Sequence, residues 1–151
     1  MWLPSWLKKR VEDGPTLEKR PRILAVSVSL EDCFLLERLA KQHNWEVKIA
    51  HSPQYAFGLV SQSYFEVIVC HRNQYGFPWR EVMDRLAEGS PQSCILLTSP
   101  VHDDYLWRDV LQHGGYDVLT CPLREEAVLH LVDAAIRFLS PATSFVHAEL
   151  P

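Results

Sequence analysis

Phe65-Glu66-Val67-Ile68-Val69-Cys70-His71 is an almost unbroken apolar run, and it opens into a loop, Arg72 to Pro78, that contains Gly76 and Pro78. A short apolar stretch bounded by turn residues reads as a strand buried on both faces, the kind that parallel sheets use. Two strand–helix pairs precede it. Ile23 to Val26 is a short apolar strand, and Ser29 with Asp32 three residues later is a capping-box-like helix start, Asp replacing the usual Glu or Gln. Leu35, Leu36, Leu39 and Ala40 then recur at helical spacing, and Asn44 is the stop signal. Trp45 to Ile49 alternates and reads as a strand near a sheet edge. Ser52-Pro53 places an N-cap before a proline at the first helical position, and Ala56, Phe57, Leu59 and Val60 form that helix's apolar face.

The same rhythm continues downstream. Trp79 to Ala87 is predicted helical on Val82, Met83 and Leu86, and Gly89-Ser90-Pro91 breaks it. Ser93 to Leu97 is a fourth strand ending at Thr98-Ser99-Pro100. Tyr105 to Gln112 is a fourth helix, stopped by Gly114-Gly115, with Asp103 and Asp104 as capping residues. Asp117 to Thr120 is a fifth strand closed by Cys121-Pro122. Glu125 to Leu139 is the last helix, with Ala127, Val128, Leu131, Val132, Ala135, Ile136 and Leu139 facing inward. Five strands alternating with five helices predict an α/β fold, a doubly wound five-stranded parallel sheet in a three-layer sandwich. Its crossovers are expected to be right-handed, and its crevice to lie at the carboxyl ends of the strands. The expected organisation is an N-terminal arm over 1–21, one domain over 22–139 and a tail over 140–151.

Bulk properties narrow the function classes. A chain of 151 residues, 47% of them hydrophobic, suits one domain with a full core. The net charge of -4 gives no overall drive toward nucleic acid. Lys8, Lys9, Arg10, Lys19, Arg20 and Arg22 gather near the N-terminus and read as a solvated linker. In the arm, Trp2, Leu3, Trp6 and Leu7 form a short amphipathic turn that suits the domain, a partner or a membrane surface. No run is long enough for a membrane span, and the charges near Met1 follow the apolar residues, the reverse of a secretory signal. Cys33, Cys70, Cys94 and Cys121 form no C-x-x-C pair, which argues for reduced core thiols in a cytoplasmic protein.

The element order, the helix lengths and the segment Gly114-Gly115-Tyr116-Asp117-Val118-Leu119-Thr120-Cys121-Pro122 resemble the receiver domain of bacterial response regulators, the CheY-like form of the flavodoxin-like fold. The resemblance spans roughly Arg22 to Leu139. In that family the fifth strand ends Gly-Ala-x-x-Tyr-x-x-Lys-Pro, and the peptide before the proline is commonly cis. The resemblance implies a phosphorylation pocket, which here is degenerate. Ser27 and Val28 stand where two acids would hold magnesium, an ion that takes hard oxygen ligands. His71 stands at the phospho-acceptor aspartate, Cys121 at the lysine and Val118 at the switch aromatic. Thr98 retains the hydroxyl. The family's aspartyl phosphorylation is therefore not expected, since nothing would neutralise the transferring group's charge.

What remains divides into two classes. Glu31 and Asp32 are rescue candidates for a metal, but their place in a first helical turn suits the helix dipole better. His71 and Cys121 would share one crevice, lined also by Ser27 and Thr98. An imidazole beside a thiol can create a nucleophile, or begin a soft metal site with Cys70 or His102. Side chains alternate along a strand, however, so Cys70 should point away from His71's face. His43, His51, His113, His130 and His147 lack ligand spacing and read as surface or loop residues. Trp79, Trp107, Tyr105 and Tyr116 cluster near the loops and the fourth helix. In receivers the surface around the fourth helix often mediates docking or dimers, which assigns a partner face to Tyr105, Trp107, Arg108 and Leu111, with the outer side of Arg124 to Arg137. The resulting expectation is an atypical receiver-like domain of a two-component-type pathway, neither enzyme nor cofactor or metal binder, acting by protein contacts or self-dimerisation. The alternative is a thiol-based redox, metal-responsive or catalytic domain using Cys121 and His71.

Overall fold

The computed structural model describes residues 20–74 and 76–138; the expected arm and tail lie almost wholly outside them. The elements run β1 (Arg22–Val26), α1 (Leu30–His43), β2 (Glu46–Ala50), α2 (Pro53–Gln62), β3 (Val67–His71), α3 (Trp79–Gly89), β4 (Cys94–Ser99), α4 (Asp104–Gln112), β5 (Asp117–Thr120) and α5 (Glu125–Phe138). All strands are parallel, in the order β2-β1-β3-β4-β5. The order reverses at β1, which lies between β2 and β3, so the crevice outside the strand ends opens there.

Local chemistry sets the boundaries. Ser29, Ser52 and Asp103 each accept a backbone N–H from the residue three positions on. Asn44 ends α1 in the left-handed conformation at φ 59, where asparagine is tolerated. At the C-terminal end of α4, a Cβ on Gly115 would come within 2.4 Å of Val110 Cγ1 and 2.5 Å of Met83 Cε, so only glycine fits. The expected cis peptide is present at Cys121-Pro122.

The sheet separates two cores. One face packs α1 and α5 against Ile23, Ala25, Val67, Val69, Leu96 and Leu119. The other packs α2, α3 and α4 against Leu24, Val26, Ile68, Cys70, Leu97 and Val118. Cys70 thus points away from His71's face, as strand alternation requires. Two expectations need correction. Ala127 is exposed, because the buried stripe of α5 is Val128, Val132 and Ala135. Arg22 is no solvated linker residue: its guanidinium lies 4.8 Å from the Phe65 ring centroid and 3.5 Å from the Glu46 carboxylate. His113 lies in the turn after α4 as expected, and there its ring meets Asp84 at 2.8 Å and Asp109 at 3.4 Å and joins the end of α4 to α3.

Candidate functional site

The crevice is built from the exits of β1, β3, β4 and β5. Register places His71 beside Thr98, and Thr98 beside Leu119, two residues before Cys121. Paired residues of parallel strands share a face, so His71, Thr98 and Cys121 open toward the α1–α5 side. Cys121 Sγ lies 3.8 Å from His71 Nε2. The other ring nitrogen, Nδ1, accepts the Asn73 N–H at 3.0 Å. A neutral imidazole carries one proton, so that acceptor role puts it on Nε2, facing the sulfur. The ring is thereby arranged to donate toward Cys121, not to remove its proton. Gln74 Nε2 donates to the His71 carbonyl and pins the start of the loop.

The rest of the pocket offers little to a phosphoryl group or a hard cation. Ser27 holds a left-handed backbone at φ 57, anchored by its N–H to the Ala50 carbonyl at 2.8 Å. Val28 is buried beside it. Thr98 is fully buried, and its Oγ1 meets no protein partner among the described residues. Three His, Cys, Asp or Glu side chains converge nowhere among the described residues, so Cys70 and His102 do not complete a metal set with His71 and Cys121.

Asp32 stands in the first turn of α1 as expected, but sequence reasoning missed what its carboxylate does. Its backbone N–H completes the Ser29 cap at 3.1 Å, but its carboxylate is buried and accepts the Leu123 N–H at 2.9 Å. It therefore ties the first turn of α1 to the loop after β5. No local signal in the sequence marks this tether. Burial raises the Cys121 thiol above its ordinary value, and the Asp32 charge raises it further, against a smaller lowering by its own backbone N–H. The thiolate is thus disfavoured where a nucleophile would need it. Burial alone pushes Cys94 to about 11; it pushes Cys70 to about 12 against a smaller lowering by Gln74. All four thiols are free, and Cys121 is the one not buried.

The candidate partner face is open. Tyr105 is 84% exposed, and Trp107, Arg108 and Leu111 are exposed along the same helix, α4. Val118, which the resemblance sets at the switch-aromatic position, is buried beneath it with Leu106 and Val110. Arg80 on α3 holds the helix from the side, donating to Asp109 at 2.8 Å and keeping that carboxyl below its usual range.

This architecture, five parallel strands in the order β2-β1-β3-β4-β5 with helices on both faces, is that of the CheY-like receiver fold. A two-component response regulator from Clostridium difficile superposes with a TM-score of 0.72 at 18% identity, over 78% of this chain and 97% of that one. The Francisella response regulator 1452 receiver domain gives 0.72 at 14% identity, over 80% and 100%. The Vibrio cholerae chemotaxis protein CheY4 gives 0.71 at 17%, over 78% and 99%. At such identities the likeness establishes the fold. No protein-family model and no curated protein sequence matches the chain.

Proposed function

We propose that this chain is an atypical receiver-like signalling domain that works by protein contacts in a two-component-type pathway and is not switched by aspartyl phosphate. The observation that carries the reading is the 3.8 Å contact of His71 Nε2 with Cys121 Sγ, an imidazole against a thiol where an acid and an amine would run phosphoryl transfer. Phosphoryl transfer depends on positioned charge, supplied by a cation and basic groups around the moving phosphate. Ser27, Val28 and Cys121 supply none of it. The domain is accordingly no enzyme, needs no cofactor, and signals by presenting α4 to a protein partner or a second copy. Its four free thiols suit the cytoplasm. No helix among the described residues is long and apolar enough to cross a membrane.

The test is incubation with acetyl phosphate, and separately beryllofluoride, in the presence of Mg²⁺, read by intact mass and by calorimetry. No adduct and no heat are expected. A stoichiometric, stable adduct would overturn the reading. The same 3.8 Å contact favours a second reading, a thiol sensor built on Cys121 and His71. The raised thiol and the donating imidazole weigh against it, and a Cys121 that alkylates rapidly at neutral pH would reinstate it.

A further inference from the structure

Leu30 and Phe34 lie four residues apart on α1, 69% and 62% exposed. That spacing stacks them on one helical face. Beside Phe34 runs a groove of about 440 Å³, floored by Phe34, Leu35 and Leu123 and rimmed by Glu31 and Glu125. The groove's one basic side chain, Arg38, already meets Glu125 at 3.3 Å. Adjacent large apolar groups left in water mark an interaction surface. Its occupant should bring bulky apolar side chains at helical spacing, followed by cations.

The chain carries such a sequence. Trp2-Leu3-Pro4-Ser5-Trp6-Leu7-Lys8-Lys9-Arg10 pairs Trp2 with Trp6 and Leu3 with Leu7, four apart, and ends in three cations. These residues lie outside the described structure, so only their sequence enters here. The tether is long enough. Leu30 follows the carboxyl end of β1 and Arg20 precedes its amino end, so the strand's five residues set a separation of about 17 Å. The nine residues from 11 to 19 can span about 30 Å when extended. We propose that the acidic-rimmed groove beside Leu30 and Phe34 is the docking site for Trp2 to Arg10 of the same molecule. The charges are opposite in sign, and the apolar pairs share the four-residue spacing of Leu30 and Phe34. The inference does not depend on how the crevice is used.

The test uses the full chain labelled with 5-fluorotryptophan, whose five tryptophans give separate ¹⁹F signals, with Trp2 and Trp6 assigned by Trp2→Phe and Trp6→Phe. In the wild type both signals should sit away from those of a free peptide of residues 1–10. Phe34→Glu should return them to the free-peptide position and leave Trp79 unmoved, which also reports an intact fold. Tyr105→Glu, on α4, should leave Trp2 and Trp6 where they are. Lys8→Glu with Lys9→Glu should weaken the displacement, and adding Glu31→Lys should restore part of it. Wild-type signals already at the free position, or insensitive to Phe34→Glu, would overturn the proposal. Signals that move on dilution would overturn docking within one molecule in favour of a second copy.

Discussion

The crevice at the strand ends and the outer face of α4 differ in kind. The crevice is inward-turned: Thr98 is buried, Val28 is aliphatic, and His71 and Cys121 are engaged with each other. The α4 face is outward-turned, with Tyr105, Trp107 and Leu111 exposed on a helix held laterally by Arg80 and Asp109. Burial of a polar group without a partner costs free energy, as does exposure of large apolar groups. The first region meets that cost with residues that need no charge. The second retains it, which is the ground for proposing it as the partner face.

The contrast can be broken by experiment. The largest effect should come from Tyr105→Glu combined with Trp107→Ala. Affinity for a partner captured from the native cell should fall at least thirtyfold, about 2 kcal/mol, as for aromatic hot spots. His71→Ala and Cys121→Ala should leave it unchanged; the reverse pattern would transfer function to the crevice. Asp32→Ala should lower stability to urea by about 1–3 kcal/mol, because the Leu123 N–H then loses its buried acceptor. Cys121 alkylation should rise with pH about a midpoint above the ordinary thiol value of 9.0, since a raised thiol stays protonated until the pH passes its own value. Asp32→Asn should move that midpoint down. Thr98→Val should be neutral or stabilising by up to about 1 kcal/mol, because it removes a hydroxyl that has no protein partner. A clear loss there would mean that the hydroxyl serves a ligand.

Most of the architecture could be read from the chain because it rests on local chemistry. Ser29, Ser52, Asp103 and Asn44 mark helix ends through bonds that reach three or four residues. The run from Phe65 to His71 is apolar because β3 is covered on both sides. The site was less legible. His71 and Cys121 are 50 positions apart, and only the resemblance to receivers brought them together before the structure did. Asp32 and Leu123 are 91 apart, and nothing in either neighbourhood announces their bond. Ala127 looked buried since alanine fits either side of a helix. Leu30 and Phe34 drew no notice because an exposed apolar pair looks, in sequence, like any other part of a core stripe.

Val118 carries a consequence for how the molecule could respond to a signal. It belongs to the core beneath α4, while His71, Thr98 and Cys121 open on the opposite side of the sheet. A short branched aliphatic group that is almost completely enclosed has little room to swing and no polar tip to be pulled. The strands therefore stand as a partition between the two layers, with the crevice side chains on one side and the floor of the far helix on the other.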